Sequence, residues 1–525
     1  MLHLRDTMTR RIEPVDPLEP GRVRMYTCGP TVYRFAHVGN LRSFLLGDLI
    51  RRVLLYHGLE VLHVKNVTDV GHLRDEGFDR GQDPMLVQAG LESRTVEEIA
   101  TAYESAFHAD EAAVNILPAH VFPRATEHIE EMLRLAEALE DAGHAYATPE
   151  GNVYYAVSTF PGYGQLSGNS LTDLRAGQRG DVEPDKRDPA DFALWKRAGP
   201  GRVLKWPTPR WGDGFPGWHL ECSAMAMRYL GAQFDIHTGG IDNVFPHHED
   251  EIAQSAPISG VVPARHWVHG EFLLSDGHKM AKSAGNFQRI TDVVDQGLDP
   301  LALRYLMLTL KYGRKLEYTD RSLAAASSAL ESLRSRLRAL GAPPRTGPWA
   351  MPEPLEAGTA GDRPVGVATR AEGHGSGTGY ATRDRAGSPA APLSRAGRGY
   401  HDRFVAAIDD DLDTPGTLAL VREILRSTLP AEERRWLVLD ADMVFGLDLH
   451  RVWGDSLSAT EPGTGADATE PIPQNIHAIV ELRIADRAAG DYARADAIRD
   501  ELAALGWEIV DKATGPVVRR RKVEP

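Results

Sequence analysis

The first strongly patterned stretch is Val23-Arg24-Met25-Tyr26-Thr27-Cys28, rich in β-branched and aromatic residues, which predicts a strand. A Gly29-Pro30 break follows. After Asn40 the apolar residues Leu41, Phe44, Leu45, Leu49, Val53 and Leu54 recur at helical spacing, and a second strand is expected from Val61 to Val67. Strand, turn, helix and strand in this order open a doubly wound α/β domain. From Leu73 to about Pro200 the pattern changes to long polar helices, among them Val96 to Ala113 and Thr126 to Ala142, which reads as an insertion. The α/β pattern returns near Trp218, with a strand from Gln233 to His237 and an apolar run before Lys279.

Beyond Pro300 the periodicity is helical, over Leu301 to Leu310, Ser322 to Leu340, and again from about Gly399 to Leu447. Residues 341–398 are dominated by Gly, Pro, Ala, Arg and Thr. Such a stretch buries too little apolar surface to offset its ordering entropy, so a disordered linker is expected there. A second linker, acidic and Thr/Pro-rich, is expected over 455–473, before a helical pair (Ile476 to Ala488 and Tyr492 to Leu505) and a tail from Trp507 to Lys522. The expected division is a split α/β domain (1–72 and 201–300), an insertion (73–200), a helical domain (301–340 and 399–454), the 341–398 linker and a C-terminal module (474–525).

Length agrees with several domains, because 525 residues exceed what one hydrophobic core supports, about 250–300 residues. No run approaches the ~20 apolar residues of a membrane helix, and Met1 to Pro14 has no apolar signal core, so a cytoplasmic protein is expected. A net charge of -15 argues against a protein that coats nucleic acid through a global basic field. A local basic track stays compatible with it, and Arg519, Arg520, Arg521 and Lys522 form one cationic cluster that also reads as a solvated end. The only cysteines are Cys28 and Cys222. They read either as two buried spectators or as two thiolates meeting at a metal, and composition does not decide.

Three segments carry candidate chemistry. Gly29 to Asn40 ends where a helix begins, and a helix N-terminus offers unpaired N–H groups and a positive dipole end to a phosphate. Gly39 allows close approach, and His37 and Asn40 can donate hydrogen bonds; a structural histidine with an Asn cap explains the same letters. Gly277 to Asn286 holds Lys279 and Lys282 between glycines, either a cationic loop that folds onto a triphosphate or a solvated surface loop. Finally, His247 and Glu251 share a helix face at i, i+4, and with Cys222 and Cys28 they suit Zn²⁺, although such pairs also occur as plain surface pairs.

Taken together and in order, these segments resemble cysteinyl-tRNA synthetases. The resemblance rests on Tyr26 to Tyr33, on Ala36-His37-Val38-Gly39-Asn40 (the family's HIGH-type box) and on Lys279 to Ser283 (its KMSKS box). It extends to the segments 216–231, 245–255, 406–415 and 493–509. The fold implied is α/β: a Rossmann-like doubly wound catalytic domain with an inserted helical connective domain, then an α-helical bundle and a small anticodon-binding module. The resemblance implies Zn²⁺ on Cys28, Cys222, His247 and Glu251, with the substrate sulfur as an added ligand. Coordination would then separate cysteine from serine, which an apolar pocket does poorly. It further implies ATP with Mg²⁺, served by His37, Gly39, Asn40, Lys279 and Lys282, with Gly239, Gly240 and Asp242 toward the adenosine. Gly29, Thr68 and Trp218 would line the cysteine pocket, and cysteine tRNA would be the partner of a monomeric enzyme. Arg314, Lys315, Arg483 and Arg487 are candidates for a local tRNA-facing surface.

The sequence departs from the family pattern at Ala281, where the KMSKS box has serine, and at Thr238 in His237-Thr238-Gly239-Gly240. It also lacks the tryptophan expected near its end. Two rival readings are a ligase that passes activated cysteine to an amino sugar and a non-catalytic paralogue. The family-like sequence through Lys522 disfavours the first, and the presence of His37, Lys279 and Lys282 disfavours the second.

Overall fold

The computed structural model describes residues 1–70, 84–170, 185–199, 202–275, 277–280, 287–342 and 393–453, with short stretches at 498–499, 502, 507–512 and 515–520. The expected linker over 455–473, residues 343–392 of the first expected linker and the expected helix Ile476 to Ala488 lie outside the described residues, as do most of the helix Tyr492 to Leu505, Arg483, Arg487, Arg521 and Lys522. The described end of the first linker is helical from Arg395, a few residues before the expected start near Gly399. The chain divides into two units, Met1–Asp455 and Ser456–Pro525.

The first unit is organised around a four-stranded, all-parallel sheet. Its strands are β1 (Arg22–Thr27), β2 (Glu60–Lys65), β3 (Phe234–Gly240) and β4 (Ala264–Gly270), in the spatial order β4-β3-β1-β2. Every residue of β3 is buried, as expected of a strand covered on both faces. Helix α1 (Val38–Tyr56) connects β1 to β2, α2 (Trp218–Leu230) precedes β3, and α3 (Glu249–Ser259) connects β3 to β4. One core joins α1, Met25, Val61, Ile236 and Val268 to the C-terminal helices. The other places Tyr26, Val64, Phe234 and Trp267 against α2 and α3. The order of crossovers reverses between β1 and β3, and ligands bind outside the carboxyl ends of strands at such a switch point.

The segment between β2 and α2 contains the helices Pro84–Glu92, Val96–Ala113 and Ile129–Asp141. It is not wholly helical, contrary to the expectation. Strands Ala145–Ala147, Val153–Tyr155, Phe192–Arg197 and Gly214–Pro216 form an antiparallel sheet in that order. Three of these are only three residues long, too short to show the period-2 alternation on which strand reading depends. The last strand also falls within the segment assigned to the returning α/β domain, so the boundary at 200 lies inside this sheet.

After β4, the strands Leu273–Ser275, His278–Lys279 and Leu316–Tyr318 make a small mixed sheet. The helices Leu301–Leu308, Asp320–Ala339, Arg395–Asp409, Thr414–Arg426 and Ala431–Phe445 follow. A fully buried ion cluster fastens α1 to them. Asp48 accepts from Arg52 at 2.8 Å and from Arg304 at 2.6 Å, and its other oxygen accepts the Leu117 N–H at 2.9 Å. Arg304 also donates to the carbonyls of Val114, Asn115 and Phe445. One guanidinium thereby ties three chain segments to α1.

In the second unit, Trp507–Lys512 and Gly515–Arg520 pair antiparallel, with Trp507 opposite Arg520. Arg519 and Arg520 therefore lie in a strand rather than in a ragged tail.

Candidate active site

Cys28 follows the last residue of β1, and its N–H donates to the Thr238 carbonyl of β3 at 3.3 Å. That places its sulfur at the switch point. Cys222 projects from α2, where it is buried, and His247 sits in the turn immediately before α3. Glu251 lies in the first turn of α3, where a helix dipole favours a carboxylate. The four side chains converge so that their donor atoms all lie within 4.8 Å of one another, with Cys222, His247 and Glu251 buried. The i, i+4 pair is made: His247 Nε2 is 3.1 Å from Glu251 Oε1.

The electrostatics of the cluster follow from its crowding. Burial raises the Glu251 carboxyl, yet the charges and hydrogen bonds of His237 and His247 outweigh this and hold it at about 2. Burial would lower His247, but the neighbouring Cys222 and Glu251 hold it well above the usual imidazole value. The hydrogen bond from Cys28 draws the Cys222 thiol down to about 7, while burial and that neighbour push Cys28 up. Two sulfurs, an imidazole and a carboxylate, converging in a largely buried cluster, are a donor set that fits a tetrahedral Zn²⁺. Among the described residues the buried Nδ1 of His247 has no hydrogen-bond partner.

Behind these four stands a histidine layer that sequence reading missed. His237 Nε2 meets Glu251 Oε2 at 2.9 Å, and His248 Nε2 meets the Cys28 sulfur at 3.2 Å. His248 Nδ1 meets His269 Nε2 at 2.8 Å, and His269 Nδ1 meets Thr7 Oγ1 at 2.7 Å. Cys28, His237, His248 and Glu251 form a second group with donors equally close. The set with two sulfurs is the better zinc site, and hydrogen bonds of this kind orient a metal's ligands from outside. Burial and the adjacent His237 and His269 keep His248 neutral. The His247-His248 doublet was the available signal.

The described nucleotide candidates stand at the N-terminus of α1, at the end of β3 and in the short hairpin that follows β4. His37 is the N-cap of α1: its Nδ1 accepts the Asn40 N–H at 3.2 Å, and Asn40 Oδ1 accepts the His37 N–H at 3.1 Å. With Nδ1 accepting, a neutral imidazole carries its proton on Nε2. A Cβ on Gly39 would lie 2.8 Å from the His37 ring, so glycine there is what lets the ring fold over the cap. Gly239 and Gly240 end β3, where a Cβ would lie 2.8 Å from the His248 ring and 2.5 Å from Asp242 Oδ1 respectively. Asp242 is exposed beside them. Lys279 pairs with Leu274 across the short hairpin, while Ala281 and Lys282 lie outside the described residues.

Of the three candidate pocket residues, Trp218 opens α2, is 44% exposed, and sets its ring 5.0 Å from that of His247. Gly29 admits no side chain, because a Cβ there would fall 1.7 Å from the Asn66 carbonyl oxygen. Thr68 is buried, and its hydroxyl donates to Glu221.

Residues 14–328 match the family model for the tRNA synthetases class I (C) catalytic domain. The cysteine--tRNA ligase of Thermosynechococcus vestitus is 38% identical, covering 98% of this chain and 97% of its own. That of Thermus thermophilus is also 38% identical, covering 97% and 98% respectively. Among solved structures, Mycobacterium tuberculosis methionyl-tRNA synthetase in complex with methionyl-adenylate superposes with a TM-score of 0.50. It covers 82% of this chain and 90% of its own at 14% identity, a likeness of fold.

Proposed function

The chain belongs to the cysteine--tRNA ligases of the class I tRNA synthetase family, and from that premise we propose how its residues divide the work. The enzyme activates L-cysteine with ATP and passes the cysteinyl group to cysteine tRNA. In the first step the cysteine carboxylate oxygen bonds to the α-phosphorus of ATP and pyrophosphate leaves. In the second, a ribose hydroxyl at the tRNA 3′ end attacks the carbonyl carbon of cysteinyl-adenylate, and AMP leaves. No protein nucleophile is required, so positioning and charge stabilisation carry the rate.

In this reading His37 directs its Nε2–H, with the N-terminus of α1, at the phosphates, and Asn40 fixes the His37 tautomer through the reciprocal cap. Lys279 and Lys282 neutralise charge on the triphosphate and its Mg²⁺ complex. Gly239 and Gly240 leave room for the adenosine at the end of β3, and Asp242 accepts from the ribose hydroxyls. Cys28, Cys222, His247 and Glu251 would hold Zn²⁺, which when bound supplies a soft Lewis-acid contact for the substrate thiolate. Gly29 and Trp218 bound the amino-acid pocket, with Thr68 beneath it. The 73–200 segment is read as the connective insertion and 474–525 as the anticodon-recognition module. Among the described residues no helix is long and apolar enough to cross a membrane, and a cytoplasmic setting fits a translation enzyme.

The convergence of the four donor side chains at the switch point carries the site assignment. Its test is cysteine-dependent ATP–pyrophosphate exchange and tRNA charging on protein assayed for zinc. Near one zinc per chain, exchange with cysteine but not serine, and charging of cysteine tRNA are expected. Full selectivity in protein stripped of metal would sink the assignment of thiol selection to this cluster.

A further inference from the structure

The residues next to the two sulfur donors are joined by a continuous chain of hydrogen bonds that runs through Thr68 and includes two side chains, Asn66 and Glu221, with no role above. Gly29, which follows Cys28, donates its N–H to Asn66 Oδ1 at 2.8 Å. Asn66 Nδ2 donates to Thr68 Oγ1 at 3.2 Å. Thr68 Oγ1 donates in turn to Glu221 Oε2 at 2.9 Å, and Glu221 precedes Cys222 in α2. All three side chains are essentially sealed from water: Asn66 and Thr68 are 2% exposed and Glu221 is 0%.

The polarity of this chain is fixed. The Gly29 N–H can only donate, so Asn66 must present its oxygen there and its NH₂ to Thr68. Thr68 accepts from that NH₂, so its own hydrogen points at Glu221, whose carboxylate accepts. The backbone of Thr68 is pinned as well, since its N–H donates to the Pro30 carbonyl at 3.0 Å and its carbonyl accepts from Val32 at 3.0 Å. A buried carboxylate is costly unless it receives hydrogen bonds, and here one comes from a hydroxyl that can point only one way.

We propose that Asn66, Thr68 and Glu221 form one positioning relay beneath the amino-acid pocket, with Glu221 acting through Thr68 to hold the Cys28–Gly29 turn and the Cys222 helix at the spacing that cysteine requires. Glu221 and Asn66 are positioning residues, because both are sealed from water and act through Thr68 and the Gly29 N–H. The nucleotide contacts come from other segments, 37–40, 239–242 and the Lys279 hairpin, so the relay governs cysteine and leaves ATP alone. The inference rests on the zinc-and-cysteine reading of the pocket given above.

The test is ATP–pyrophosphate exchange with the full-length protein, varying cysteine and ATP separately. Wild-type exchange that fails to depend on cysteine would end the reading of the pocket itself, whatever the variants do. Given cysteine-dependent exchange, Glu221→Leu and Thr68→Val should each raise the KM for cysteine about tenfold, the cost of one lost buried acceptor or donor. Each should leave the KM for ATP within about twofold and zinc near one per chain, because the lost contact is confined to the amino-acid side. The double variant should be no worse than the poorer single one, as members of a single relay are not additive. Glu221→Gln and Thr68→Ser, which keep an acceptor and a hydroxyl, should restore cysteine KM to near the wild-type value. Asn66→Ala cuts the chain at its other end and should reproduce the cysteine effect, so the relay stays testable even where Glu221→Leu fails to fold. An unchanged cysteine KM in Asn66→Ala or Glu221→Leu, additive effects in the double variant, or equal rises for cysteine and ATP would overturn the proposal.

Discussion

At the residue scale, the chemistry is concentrated in a few side chains whose roles can be separated by measurement. Cys222→Ser replaces a soft donor that ionises readily by a hydroxyl that does not. Zinc content should fall well below one per chain, and cysteine should lose its advantage over serine in exchange. Folding should persist, since the change removes little volume from the α2 core; unaltered zinc content would contradict Cys222 as a ligand. At the other motif, His37→Ala removes both the outward N–H and the acceptor that caps Asn40. The rate of exchange should drop by about 10²–10³, the usual loss for one donor aimed at developing charge. Helix α1 should lose only about 1 kcal/mol, the typical worth of an N-cap. A comparable loss of stability without a loss of rate would make His37 a cap and nothing more. The four side chains that converge at the switch point could be picked out in the sequence because each is a residue type in a recognisable neighbourhood. Asn66, Glu221 and the inner histidines were not, because their meaning lies in partners far along the chain.

At the element scale, the β1-α1-β2 unit could be read almost to the residue, since α1 carries a full apolar face and both strands are rich in branched residues. The antiparallel sheet between β2 and α2 could not, because its strands borrow their order from one another rather than from alternation. Nor could the Asp48 cluster be seen: Asp48 and Arg52 look like an ordinary i, i+4 surface pair until Arg304 is placed beside them. Burial raises Asp48, but the charges of Arg52 and Arg304 more than compensate and keep it ionised below the usual carboxylate range. Asp48→Asn leaves two buried guanidinia short of their counter-charge and should cost about 3–5 kcal/mol, the range for breaking a buried pair. Equilibrium denaturation of the full chain measures this. A cost under about 1 kcal/mol, as for an exposed pair, would show that the clamp is not intact in solution.

At the scale of the whole molecule, stability on the acid side should depend on histidines held neutral by burial. His120 accepts the His63 N–H on its Nδ1 at 3.0 Å and faces Arg51. Burial and the Arg51 charge lower it to about 4, and burial beside Lys65 lowers His63 well below its usual value. In the unfolded chain both titrate near 6.5. A depressed folded value means that the unfolded state takes up protons first, so stability is lost as pH falls from about 6.5 toward 4. The urea midpoint should therefore decline over that window, and His120→Asn, which keeps an acceptor toward His63, should flatten the decline. A midpoint equally steep in the variant would remove His120 from the account. At this scale periodicity along the chain does not show the reach of the cores, which join α1 to helices hundreds of positions later.

The convergence of Cys28 with Glu251, 223 positions apart, has a consequence for how the chain matures. Closing so long a loop adds little to the equilibrium cost, since each doubling of length adds only about 0.6 kcal/mol. It weighs on kinetics instead, because contacts of such separation form after local ones. During synthesis β1, α1 and β2 emerge early, yet the cluster around Cys28 stays incomplete until α3 has left the ribosome. The thiol of Cys28 therefore spends the making of more than two hundred residues without the side chains that later close around it, open to oxidation.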